Sequence, residues 1–404
     1  MNFSTLRAKQ RVYLDHNATT PVAEIVRDQI LGWVEQWGNP SSIHQSGRGP
    51  KALMRESRDK VARALGINPL EVIFTSGGSE SNNLAIKGVF ESFKKAEEFG
   101  RPFRNQYLFS SVEHPSLRRT AEYLEENGAR VEFIPVRRDG SIDLEAFRSL
   151  LSENTALVSV MLANNETGNI FPIKEMAELA HARGALFHSD CVQALGKIPV
   201  DLKELGVDLA SFSGHKFYAL KGAGVLFAKK GVPLESLIHG GGQERHRRGG
   251  TENVLAIASL GFMCGLKDQI AARAREVECL RNRMEARILE EIKGAHLTGA
   301  ESPRLPSTSS LVIEGVDGET LLMNLDMKGF SVSTGAACSS GSPEPSPVLL
   351  AMGLTRGEAQ SSLRVGLGWG TTQDEVDAFV ETLKSVVLHV RSLNSSSKEH
   401  HVQF

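Results

Sequence analysis

One feature narrows the possible folds more than any other: from about residue 61 to residue 228, short apolar runs alternate with stretches of helical periodicity. The runs include 71–75 (EVIFT), 107–111 (YLFSS), 157–163 (LVSVMLA), 185–189 (ALFHS) and 209–213 (LASFS). Runs of that length fit strands buried on both faces. Between them, patterns such as 173–182 place Ile173, Met176, Ala177 and Ala180 on one helical face. Such repetition predicts an α/β fold: a mostly parallel sheet with helices on both faces.

After Gly261 the texture changes. Residues 266–292 read as one long charged amphipathic helix, followed by a strand (309–314), a helix (319–327) and another strand (363–368). Thr372 and Glu375 have the spacing of a capping box opening a last helix to about Leu393, with the final ten polar residues expected to fray. The expected organisation is an N-terminal arm (1–15) packing with the small domain, a large domain (16–261) and a small C-terminal domain (262–404). The 404 residues have room for both domains. No internal repeat is present.

Several function classes are excluded early. A net charge of -2 gives no electrostatic basis for binding nucleic acid or an anionic membrane. Cys191, Cys264, Cys279 and Cys338 are too few and too scattered for a disulfide framework, and no CxxC pair points to a metal. The first residues (MNFSTLR) lack a signal-peptide apolar region, and no apolar run approaches the ~20 residues of a membrane span. The expected compartment is the cytoplasm, where Cys338 stays a thiol.

The chemistry follows the apolar runs. EVIFT leads into Ser76-Gly77-Gly78-Ser79-Glu80-Ser81-Asn82-Asn83, YLFSS into Glu113-His114, LVSVMLA into Asn164-Asn165-Glu166, ALFHS into Asp190, and LASFS into Gly214-His215-Lys216. Ligands of open α/β sheets bind at the carboxyl ends of strands, so five such ends describe one shared site and an enzyme. Taken singly, each piece has two readings. The SGGSES turn is an anion site at a helix N-terminus or a plain N-cap. Asp190 is the partner of a cationic ligand or a cap; His114 is a stacking or acid–base group or a structural histidine. Lys216 is a nucleophile with a lowered pKa or a lysine reaching the surface. A lysine, an aspartate and an anion-binding turn together point to a Schiff base with a phosphorylated aldehyde cofactor.

Further motifs run nearly end to end: Tyr13-Leu14-Asp15-His16-Asn17-Ala18-Thr19-Thr20-Pro21, Gly38-Asn39-Pro40-Ser41-Ser42, Gly240-Gly241-Gly242-Gln243-Glu244, Arg248-Gly249-Gly250-Thr251-Glu252-Asn253 and Ala337-Cys338-Ser339. In order and spacing the set resembles the class-V, fold-type I pyridoxal-phosphate enzymes, and in particular group I cysteine desulfurases of the NifS/IscS type. That resemblance implies a large domain with a mostly parallel seven-stranded-type sheet, a smaller α/β C-terminal domain, and pyridoxal 5'-phosphate as cofactor. It implies that Lys216 holds the cofactor, Asp190 pairs with its ring nitrogen, and His114 stacks on the ring and assists proton transfer. Gln193 faces the phenolic oxygen, and Asn165 lies beside ring and substrate. Gly78, Ser79, Ser213 and His215 hold the phosphate. Thr251 reaches the phosphate of a neighbouring subunit, implying a homodimer, and Arg364 binds the substrate carboxylate. The run Arg245-His246-Arg247-Arg248, directly before GGTEN, falls to a phosphate-side or interface role. His16 and Asn17 occupy variable slots and read as departures of low consequence.

The reaction so implied converts L-cysteine to L-alanine. Cys338 takes the sulfur as a persulfide and passes it to an acceptor protein such as an iron–sulfur scaffold. Its segment (about 331–346), rich in Gly, Ser and Ala and closed by Pro343 and Pro345, has little to anchor it. It resembles the group I form and lacks the RxGxHC pattern of the other group. Selenocysteine lyase, or another class-V lyase or aminotransferase, is the alternative within enzymes; a catalytically silent scaffold is the alternative outside them.

Overall fold

The computed structural model describes residues 11–98, 104–335 and 344–400. In chain order the strands are β1 (Val12–Tyr13), β2 (Val72–Thr75), β3 (Gln106–Ser110), β4 (Arg130–Ile134), β5 (Thr155–Ser159), β6 (Leu186–Asp190), β7 (Leu209–Ser213), β8 (Gly224–Ala228), β9 (Ala295–Leu297), β10 (Thr308–Ile313), β11 (Phe330–Ser331) and β12 (Ser362–Gly366). Seven of them form one sheet, ordered β2-β8-β7-β6-β5-β3-β4. Only β8 runs against its neighbours, pairing antiparallel with both β2 and β7. The remaining six strands therefore point the same way, and their carboxyl ends share one edge.

The α/β expectation and the mostly parallel sheet hold. All five apolar runs contribute strands, because β2, β3, β5, β6 and β7 are buried along their whole length or nearly so. The run 157–163 ends as a strand at Ser159, and its remaining residues form the turn that enters the site. Two strands of this sheet were not among the expected runs. β4 (RVEFI) is a partly exposed edge strand with no continuous apolar signature, and β8 (GVLFA) is the reversed one.

Chain order reverses between β3 and β5: β4 lies outside β3, while β5, β6 and β7 follow on the other side. This switch opens a crevice at the strand ends where a ligand can enter. Helix Gly78–Glu98 packs Leu84, Ala85, Ile86, Val89 and Phe90 on one face of the sheet. Helix Ile173–His181 packs Ile173, Met176, Ala177 and Ala180 on the other, the four residues its periodicity predicts.

A second core belongs to the three-stranded sheet β12-β10-β9, covered by helices Lys267–Glu291 and Gln373–His400. β1 pairs in parallel with β11, and Leu14 is buried in this second core. Thr372 and Glu375 form the expected capping box. The last helix continues to His400, past the expected Leu393. Once a helix is under way each added residue gains a backbone hydrogen bond, which carries weak formers such as Ser along. Among the described residues no single helix is long and apolar enough to cross a membrane.

Candidate active site

The strand ends enclose a cavity of about 250 Å³. Its lining includes Gly78, Ser79, His114, Asn165, Asp190, Gln193, Ser213, His215, Lys216 and Arg364, so ten of the twelve expected site residues meet in one place. Thr251 does not line it and is exposed elsewhere on the surface. Cys338 lies outside the described residues.

Ser213 ends β7, where it is opposed by Gly224 of β8, which also opposes Thr75 at the end of β2. A side chain at Gly224 would meet Gly77 at 2.6 Å, so glycine there lets the Gly77–Gly78 turn close against β8. The turn begins helix Gly78–Glu98, whose first N–H groups favour an anion. The Ser213 hydroxyl is buried without a hydrogen-bond partner, an unmet polar group beside that helix start.

Asp190 ends β6. Its carboxylate accepts from the Val192 N–H at 2.9 Å and from Asn82 Nδ2 at 2.7 Å. Asn82 also donates to Ser116 Oγ at 2.9 Å, tying Asp190 to the turn after β3. His114 caps helix Pro115–Glu126, with Nδ1 accepting the Ser116 N–H at 3.1 Å. An Nδ1 that accepts leaves the ring proton on Nε2. Burial, aided by the Lys216 charge, lowers the His114 pKa against the opposing pull of Asp190, which keeps the ring neutral. Beneath it, Glu113 accepts from the Ser110 hydroxyl and the Met161 N–H, and burial pushes its carboxyl up to about 8.

Lys216 sits in the single turn Gly214–Lys216 that follows β7. Its Nζ donates to the carbonyls of Asn17 and Ala18, both at 2.6 Å. Desolvation, with the Arg364 charge behind it, lowers its pKa to about 8, against the pull of Asp15 and Asp190. At pH 7 about a tenth of such amines are neutral, several hundred times the fraction at an ordinary lysine pKa.

The opposite wall comes from the chain segments around residues 15 and 364. Arg364 of β12 donates to Asp15 Oδ1 at 2.9 Å and to the Asn165 carbonyl at 3.2 Å. Its Nε has no partner, so the fork is held in place with donor capacity remaining. Ser333 exchanges backbone hydrogen bonds with Arg364. Further along, Gly335 and Ser346, the two flanks of the segment that carries Cys338, both approach Glu166. A Cβ at Gly335 would lie 2.7 Å from Glu166 Oε2, and Ser346 Oγ donates to that same oxygen.

One expectation needs correction. Asn17 is not of low consequence: its carbonyl accepts from Lys216 and from Gln193, and its amide donates to the Asn165 carbonyl at 3.0 Å and Thr308 Oγ1 at 2.9 Å. It joins four otherwise distant segments, which its place in the sequence could not signal. Of the basic run, Arg248 is bound in a fork to Glu80 and Arg245 donates to the carbonyls of Leu70 and Val72.

A strand-end cavity carrying a lysine of lowered pKa, an aspartate and an anion-binding turn defines a class of enzyme fold, and the chain's similarities agree with it. Residues 12–379 match the family described as aminotransferase class-V, and the chain belongs to that family. It is 41% identical to a protein named cysteine desulfurase from Cereibacter sphaeroides, over 96% of this chain and 99% of that one. It is 40% identical to cysteine desulfurase NifS of Azotobacter vinelandii, over 95% and 94% respectively. A solved structure described as a NifS-like protein superposes with a TM-score of 0.87 at 36% identity, covering 94% of this chain and all of that one. Within the class-V family, the chain belongs with the cysteine desulfurases.

Proposed function

We propose that this protein is a pyridoxal-phosphate-dependent cysteine desulfurase, converting L-cysteine to L-alanine and retaining the sulfur on Cys338. The observation that carries the reading is the meeting of Lys216, Asp190 and Arg364 in one cavity. The residues present fit the cofactor. The unpartnered Ser213 hydroxyl and the start of helix Gly78–Glu98 suit a phosphate, joined by Ser79 and His215. Asp190 suits a protonated ring nitrogen, neutral His114 suits stacking on the ring, and Gln193 suits the phenolic oxygen. When bound, pyridoxal phosphate supplies a sink for the electron pair left at the substrate Cα.

Arg364, already fixed by Asp15, receives the substrate carboxylate with its remaining N–H groups. Asn165 lies beside that carboxylate. Lys216, neutral once relieved of its proton, removes the proton at Cα and later returns one. The Cys338 thiolate then attacks the substrate sulfur. A sulfur–sulfur bond forms, the substrate carbon–sulfur bond breaks, and the carbon takes a proton to become the methyl group of alanine. Enzyme and substrate thiols thus leave as one persulfide and one alanine, with no external oxidant.

The finer assignments belong to the same proposal. The acceptor is a protein thiol, for which an iron–sulfur scaffold fits, and the compartment is the cytoplasm. The enzyme works as a homodimer. Leu31, Trp37 and Ile43 are 78%, 81% and 95% exposed, apolar side chains suited to covering by a second copy, and Thr251 is exposed and able to reach the partner's phosphate. The names of its relatives favour this activity over the selenocysteine lyase and aminotransferase alternatives.

The test is turnover of L-cysteine by the holoenzyme, read as alanine and as sulfide released by added thiol. Cys338→Ser is expected to bind cysteine, with the accompanying absorbance change, and to release no sulfide. Undiminished desulfuration by that variant would remove Cys338 from the mechanism.

A further inference from the structure

A second lysine stands beside the cavity and has no part in the steps above. Lys197 lies in the turn that follows Gln193, where Gly196 at φ 78° reverses the chain. A side chain at Gly196 would meet the Phe217 ring at 2.1 Å, so the close turn that presents Lys197 requires glycine. The Lys197 Nζ donates to Gln193 Oε1 at 2.5 Å. Its pKa is lowered to about 7 by desolvation first, then by the charges of Lys216 and Arg364. No carboxylate is recorded in an ion pair with it among the described residues. A desolvated cation with no counter-ion is costly and needs an explanation.

Gln193 provides one. Its Nε2 donates to the Asn17 carbonyl at 2.9 Å and its Oε1 accepts from Lys197, so the orientation of the amide is set from both sides. A carbonyl takes only the donor end of an amide, and an amine N–H takes only the acceptor end. Asn17 uses one of the two Nε2 hydrogens, and the other remains for the cavity that Gln193 lines. The result is one continuous chain: Lys197 Nζ to Gln193 Oε1, Gln193 Nε2 to the Asn17 carbonyl, and the same carbonyl to Lys216 Nζ.

We propose that Lys197 is a positioning residue that acts through Gln193, holding its amide so that the free N–H meets an anionic oxygen on the cofactor ring. This rests on reading the cavity as a pyridoxal-phosphate site. Lys197 can donate whether or not it is charged, and when charged it polarises the amide and makes Nε2–H the stronger donor. It also supplies positive charge on the side of the ring where a phenolate would lie.

The experiment titrates the lysine-bound cofactor chromophore against pH and measures pyridoxal-phosphate affinity by adding it to the apo-protein. Lys197→Met removes donor and charge at similar length. The chromophore midpoint should rise by half a pH unit or more, because both losses favour the protonated form, and affinity should fall about tenfold. Lys197→Arg, which restores donor and charge, should recover most of both. If Lys197→Met fails to fold, Lys197→Gln serves in its place as a neutral donor, with a smaller change expected in the same direction. In a Gln193→Ala background, Lys197→Met should add little to the affinity loss, because the effect runs through the amide. A wild type that takes up no cofactor overturns the site reading and this inference together. A wild type that titrates normally while Lys197→Met titrates identically, or fully additive losses in the double variant, overturns this inference alone.

Discussion

The wall built from strand ends and the wall built around Asp15 and Arg364 are held by different kinds of contact. On the first, Asp190 is fixed by Val192 two residues away and by Asn82 from a neighbouring strand–helix turn, and His114 by Ser116. On the second, Arg364 is fixed by Asp15 and by the Asn165 carbonyl, 349 and 199 positions away in sequence. The anchors of Asp190 and His114 on the first wall all come from the seven-stranded sheet and the helices packed on it. The second exists only when the segment after β1 and strand β12 are docked together, as the Asp15–Gly366 bridge requires. The side chains assigned to the chemistry therefore rest mainly on local anchors, and substrate capture on a long-range one.

The largest expected effect falls on the first wall. Lys216→Ala should lose the absorbance of the lysine-bound cofactor and lower alanine formation by at least about three orders of magnitude. The fold should persist, since Lys216 donates to two carbonyls without filling the core. A normal absorbance band in that variant would separate Lys216 from the cofactor and break the division between the walls.

On the second wall, Arg364→Gln should raise KM for cysteine by about a hundredfold while kcat changes much less, since a buried charge-assisted contact to the carboxylate is lost. Arg364→Lys should recover little of it. A lysine cannot keep Asp15 and the Asn165 carbonyl while also presenting a fork to the substrate. A fall in kcat with KM unchanged would mean that Arg364 acts on the chemical step and that the two walls are not separate in role.

The same division marks what the sequence could reveal. Lys216, Asp190 and His114 were legible because each follows an apolar run, and strand ends in an α/β sheet converge. Arg364 was reached only through family resemblance, because its pairing with Asp15 spans almost the whole chain. Asn17 was misjudged because half of its role belongs to its backbone carbonyl, which any residue carries. Lys197 was missed because nothing in Gly-Lys-Ile-Pro announces that the amine turns back on Gln193. The reversal of β8 escaped for a related reason: strand direction is set by pairing partners, and an apolar run has no direction of its own.

Asp15→Asn gives a finer measure of assembly. The pair is largely buried, at 9% and 17% side-chain exposure, and Asn keeps the shape while losing the charge. Arg364 would stay anchored by the Asn165 carbonyl, so KM should rise by about three- to tenfold, well short of the Arg364→Gln effect. An effect equal to Arg364→Gln would mean that Asp15 alone orders the second wall.

The smallest effect tests whether the walls influence each other at a distance. Lys216 is lowered to about 8 by desolvation first and by the Arg364 charge second. Cofactor uptake requires the neutral amine, so the uptake rate of the apo-protein should climb about tenfold per pH unit between 6 and 7 and level off above about 8. Removing the Arg364 charge relieves the repulsion that favours deprotonation. In Arg364→Gln the midpoint should therefore move upward by a fraction of a pH unit, slowing uptake at pH 7 by two- to threefold at an order-of-magnitude level. Arg364→Lys, which keeps a positive charge, should hold the midpoint near its original value even though it binds the substrate poorly. That pairing separates the field of Arg364 from its hydrogen bonds: midpoints that shift equally in both variants would assign the effect to altered packing around Asn17 and Lys216 rather than to charge.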